Sequence, residues 1–110
     1  MKQYVIDQLR PNDYEKIKKY FDEKFGPAGV GGIYWVPVDR DLLSGEQARH
    51  TDCQPFYFAV DLDPDLISCE LLVRTRQKIR CSCIGYADER QRNWIIAFAD
   101  AVLERLDISI

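Results

Sequence analysis

The sequence predicts an α+β domain: a mostly antiparallel sheet, element order β-α-β-α-β-β-β-α, with its helices packed on one face. Three observations predict it. Two long segments repeat apolar residues at spacings of three and four, the period of an amphipathic helix. Four or five short segments alternate apolar and polar residues, the period of a half-buried strand. Three of these follow one another with only turn residues between them, which makes a meander.

The opening segment KQYVIDQL alternates Tyr4 and Ile6 against Val5 and reads as a short strand. RPNDYEKIKKYFDEKF reads as a helix. Pro11 suits the first helical position, Asp13 suits the first turn, and Tyr14, Ile17, Phe21 and Phe25 form one apolar face. Gly26-Pro27 stops it and opens the loop GPAGVGG. IYWVPV is rich in strand formers, but Pro37 confines it to a sheet edge or a strand end. Ser44 and Gln47 make a capping box, so a short helix starts at Ser44 and ends near TDCQP.

FYFAVDL and ISCELLVRT flank the turn DPDL and read as a hairpin. IRCSCIGY then reads as a third strand after the turn RQK. Asp88 and Gln91 form a second capping box, which starts a final helix with the stripe Ile95, Phe98, Val102 and Leu106. If Leu62 pairs with Ile67 and Thr75 with Ile79, one face of the meander holds Phe56, Phe58, Val60, Leu62, Ile67, Cys69, Leu71, Val73, Ile79, Cys81 and Cys83. On that reading three of the four cysteines are core residues, as free cysteine often is.

The chain's 110 residues suit a single domain spanning 1–110, and 46% hydrophobic with 30% charged residues is ordinary globular composition. Asp7 and Arg10 interrupt the start before any apolar run of signal-peptide length, and no window suits a membrane span. The expectation is therefore a cytoplasmic protein without membrane contact, whose thiols stay reduced. Net charge is −3, which disfavours a general polyanion binder. The charge is uneven: net −5 over residues 1–73, +4 over 74–92 and −2 over 93–110. A local positive field can steer a partner even on an acidic protein.

No catalytic or cofactor motif stands out, and no cofactor is expected. GPAGVGG follows a helix and enters a strand, the reverse of a phosphate-binding loop. DLDPD is too short for a calcium loop. His50-x-x-Cys53 has a spacing that suits metal ligation or a thiol–base pair, but a metal needs four converging donors. A C-x-C pair on an extended strand holds its Cα atoms about 6.6 Å apart, awkward for sharing one ion.

The other meander face carries the residues expected to bind: Tyr57, Glu70, Arg74, Arg76, Arg80 and Tyr86. Arginine and tyrosine are enriched at protein interfaces. Protein association or self-association through this Arg/Tyr face is thus the expected function. The alternative is a metal- or thiol-dependent protein using His50 and Cys53. Weak binding of single-stranded nucleic acid, by stacking and phosphate contacts, ranks third.

Overall fold

In a computed structural model, described for residues 2–77 and 80–109, the chain forms a five-stranded antiparallel sheet with three α-helices. Strand β1 is Gln3–Ile6, β2 Ile33–Pro37, β3 Phe56–Asp63, β4 Leu66–Thr75 and β5 Gly85–Tyr86. Helix α1 is Pro11–Phe25, α2 Gly45–Arg49 and α3 Glu89–Arg105. Element order follows the sequence reading, and so do both capping boxes. Ser44 Oγ accepts from Gln47 N at 3.2 Å, and Asp88 Oδ1 accepts from Gln91 N at 2.9 Å. Each tethers amides that the first helical turn leaves without partners.

The strands lie in the order β1-β4-β3-β2, with β5 also on β4. β2 is an edge strand, as Pro37 requires. The hairpin register is as expected at its turn, where Leu62 faces Ile67 and Val60 faces Cys69. Beyond it Phe58 faces Val73 rather than Leu71, because β4 bulges between the two pairs. The shift is two residues, an even number, so the apolar set keeps its face.

That face lies under α1 and α3. Ile17 and Phe21 of α1 and Ile95, Ala99 and Val102 of α3 are buried with Phe56, Phe58, Val60, Ile67, Cys69 and Val73 of the sheet. A run of rings joins the two layers: Phe58 to Trp94 at 6.1 Å, Trp94 to Phe98 at 5.5 Å, Phe98 to Phe21 at 6.3 Å, and Phe21 to Tyr34 at 5.1 Å. Tyr34 Oη also donates to Asp22 Oδ1 at 2.6 Å, which fixes α1 against β2.

The third meander strand departs from expectation. β5 comprises only Gly85–Tyr86, paired with Val73 and Leu72. The reason is competition for one edge of β4, because β1 occupies its first half through Gln3↔Glu70 to Ile6↔Ile67. Cys81 and Cys83 therefore leave the sheet. They sit in a tight turn closed by Ile84 N–H donating to the Cys81 carbonyl at 3.0 Å. Arg80 leaves the sheet with them, so it does not oppose Arg74, whose cross-strand partner is Tyr57. The expected pairing of Thr75 with Ile79 lies outside the described residues.

Candidate metal centre

Two short turns build the centre. Helix α2 ends at His50, and Thr51–Cys53 continues as one turn of 3₁₀-helix, with Cys53 N–H donating to the His50 carbonyl at 3.0 Å. With three residues per turn, positions i and i+3 eclipse, so the His50 and Cys53 side chains leave on the same side. The Cys81–Ile84 turn supplies the other two donors. Its position is set from both ends, by β5 after it and by Gln47 beside it.

The four donors of His50, Cys53, Cys81 and Cys83 lie within 4.8 Å of one another. Cys53 Sγ is 3.7 Å from Cys81 Sγ, and His50 Nδ1 is 3.1 Å from Cys81 Sγ. Tetrahedral zinc with Zn–S of about 2.3 Å and Zn–N of about 2.0 Å has S···S edges of about 3.8 Å and S···N edges of about 3.5 Å. One sulfur pair is therefore already at coordination distance, and no edge has to close by more than about 1.3 Å. The expectation that Cys81 and Cys83 lie on an extended strand, where sharing one ion is awkward, is corrected by their position in a turn.

Two of the three thiols expected in the core are buried there, Cys69 at 1% and Cys83 at 3% exposed, while Cys81 is part-exposed and Cys53, outside the expected core set, has no exposed surface. Cys69 stays in the core on β4, facing Tyr4 and Val60, and among the described residues belongs to no donor cluster.

The metal-free cluster favours one thiolate. The Cys83 side chain and backbone N–H, then Cys53 and His50, hydrogen-bond to the Cys81 sulfur and hold its pKa well below the ordinary thiol value. Burial and the bonds to Cys81 and Cys53 push the Cys83 thiol up. Burial alone is the main reason that Cys69 is pushed up to about 12.

A buried polar frame surrounds the donors. Gln47 Nε2 donates to the Cys83 carbonyl at 3.3 Å, and Gln47 Oε1 accepts from Gln91 Nε2 at 2.9 Å. Gln91 Nε2 also donates to the Leu42 carbonyl at 2.8 Å, while its Oε1 accepts from Asp88 N at 3.1 Å. On the other side Thr75 Oγ1 donates to the Cys53 carbonyl. Both glutamines are at most 4% exposed, so the frame is shielded from water. Outer contacts of this kind orient metal ligands and raise affinity. Sequence reasoning read Gln47 and Gln91 as helix caps only; their side chains meet 44 residues apart, beyond any local pattern.

The expected binding residues divide. Tyr57, Glu70 and Arg74 share the sheet face opposite the helices, where Arg74 makes an ion pair with Glu70. Arg76 joins them, its guanidinium 5.2 Å from the Trp35 ring centre and 5.9 Å from that of Tyr57. Tyr86, on β5, has Lys2 Nζ 5.3 Å from its ring centre. Arg80 is exposed, off the sheet and next to Cys81 in the chain. Sequence reasoning missed Trp35, whose alternation with Tyr34 and Val36 on β2 could have placed it on this face. No helix of the described residues is long and apolar enough to cross a membrane. No family model, no curated protein and no solved structure matches the chain, so its site is read from its own geometry.

Proposed function

We propose that the protein binds one zinc ion through His50, Cys53, Cys81 and Cys83 and depends on it to hold one end of the sheet together. The observation that carries this is the convergence of four donors, from two turns about thirty residues apart, within 4.8 Å. Three thiolates and one imidazole are a donor set that suits zinc over magnesium or calcium, which take oxygen ligands. Four protein donors fill a tetrahedral ion and leave no position for substrate, the pattern of structural rather than catalytic zinc. Titrating the reduced, metal-free protein with Co²⁺ tests this. A thiolate-to-cobalt absorption band should saturate at one equivalent and vanish when Zn²⁺ is added. It should be unchanged in Cys69→Ser and weakened in Cys83→Ser. No band in the wild type would remove the reading.

A second reading is self-association through the outer sheet face. The observation favouring it is the stack of Arg76 on Trp35 and Tyr57, residue types that dominate protein interfaces, on a face opposite the helices. The exposed carboxylates Asp100, Glu104 and Asp107, which line one hollow at the end of α3, give a second copy a complementary surface. Sedimentation at low and high salt should show a self-association that salt weakens and Arg76→Ala abolishes. A monomer at every concentration and salt would remove it.

A further inference from the structure

We propose that the centre is also a hydroperoxide-sensitive switch: oxidation joins Cys53 to Cys81 as a disulfide and expels the zinc. The inference rests on the zinc reading above and adds regulation to it.

The donors are unequally protected. Cys81 and His50 are part-exposed, while Cys53 and Cys83 are sealed in the interior. A zinc-bound thiolate remains a nucleophile, and Cys81 offers the only zinc-site sulfur that a small hydroperoxide reaches from solvent. The sulfur that would resolve the oxidised product is already in place. Cys53 Sγ lies 3.7 Å away, and a disulfide of about 2.05 Å asks the two atoms to close by about 1.7 Å. Cys69, facing Tyr4 and Val60 in the sheet, lies outside the cluster.

The chemistry balances without another reactant. The Cys81 thiolate attacks one peroxide oxygen, the O–O bond breaks, and hydroxide (or the alkoxide of an organic hydroperoxide) leaves, giving a sulfenic acid. The Cys53 sulfur then attacks the Cys81 sulfur, forming S–S and breaking S–O, and the second oxygen leaves as hydroxide that becomes water on protonation. Two thiolates together give up two electrons, which reduce the peroxide. Zinc is left with His50 and Cys83 alone, too few donors to hold it.

Release has a route into the fold. The Cys81–Ile84 turn is tied to α3 through the Cys83 carbonyl, Gln47 and Gln91, so a changed turn reaches the start of that helix. A reductant restores both thiolates and lets zinc return.

The test exposes protein of measured zinc content to hydrogen peroxide in the presence of a chromogenic zinc indicator, then maps disulfides by mass spectrometry without reduction. One equivalent of zinc should be released at a rate proportional to peroxide, with a Cys53–Cys81 linkage. A thiol reductant and fresh zinc should then restore the original state. Cys69→Ser should behave as wild type. Because Cys53→Ser risks losing zinc outright, the decisive readout is the linkage in the wild type. Zinc retained under conditions that oxidise free glutathione would overturn the switch alone. So would release with a Cys81–Cys83 linkage, or with Cys81 oxidised to sulfinic acid and no disulfide. A starting protein that takes up no zinc would overturn both readings.

Discussion

The Cys53 sulfur lies 3.7 Å from the Cys81 sulfur, although 28 residues separate them in the chain. One belongs to a 3₁₀ turn after α2 and the other to the turn before β5. Their contact closes a loop containing the whole β3–β4 hairpin. Whatever joins them, a metal or a disulfide, constrains the unfolded chain as well as the folded one.

In the metal-free, reduced protein, Cys81 should be labelled first by a thiol reagent and Cys69 last. Cys81 combines partial exposure with a lowered pKa, while Cys69 is buried with its thiol pushed up to about 12. Reactivity follows thiolate fraction and access together. Mass spectrometry after timed alkylation reads the order; Cys69 labelled at the rate of Cys81 would contradict it.

Metal binding should release protons and weaken as pH falls. Every cysteine ligand must lose its proton, and Cys83, whose thiol is pushed up, still carries one in the metal-free cluster at neutral pH. Protons therefore compete with the ion, and affinity rises with pH until Cys83 no longer needs deprotonating. Calorimetry in buffers of different ionisation enthalpy should detect at least one proton released per metal at neutral pH. A binding heat independent of buffer would contradict this.

Gln47→Leu should cost about 3 kcal/mol, because it leaves the buried Cys83 carbonyl without its donor and takes one hydrogen bond each from the Ser44 N–H and the Gln91 amide. It should also lower metal affinity by about tenfold, as losing a ligand-orienting contact does. Asp88→Ala removes the cap of α3 and should cost about 1 kcal/mol with affinity unchanged. Chemical denaturation and a metal competition assay on both variants separate the two roles. Equal affinity losses would show that Gln47 acts only through stability.

The two capping boxes were legible because a cap is a contact three residues long. The inner face of the hairpin was legible because the bulge in β4 displaces the register by an even number, leaving Ile67, Cys69 and Val73 buried on one face on either side of it, with Leu71, within the bulge, half-buried. The end of the meander was not. Ile79, Cys81 and Cys83 alternate as strand residues do, and nothing local says that β1 has already taken half of β4. That single long-range pairing shortens β5, frees the C-x-C pair into a turn, and turns it toward His50 and Cys53. The spacing of His50 and Cys53 was visible as half of a site; its other half depended on topology.

The glycine loop has a structural part to play at one position. Gly32 has φ of +79°, and a Cβ there would meet the Leu62 carbonyl oxygen at 2.9 Å. Gly32→Ala should destabilise by about 2 kcal/mol, combining a left-handed backbone with a backbone clash. Gly29→Ala has ordinary contacts and should stay within about 0.5 kcal/mol of wild type. Equal unfolding midpoints for the two variants would contradict the assignment.

Removing the metal should lower the melting temperature. If the protein is held at free zinc about 1,000-fold above its dissociation constant, chelation withdraws about 4 kcal/mol, or about 15 °C for a domain of this size. Calorimetric scans with and without chelator measure the fall, and identical scans would show that zinc contributes nothing to folding.

The X-ray absorption spectrum of the zinc-loaded protein at the zinc edge tests the central claim most directly. The account predicts one ion per chain, with three sulfurs at about 2.3 Å and one nitrogen at about 2.0 Å in its first shell. A shell of oxygen and nitrogen alone, or no zinc retained by the reduced protein, would contradict it.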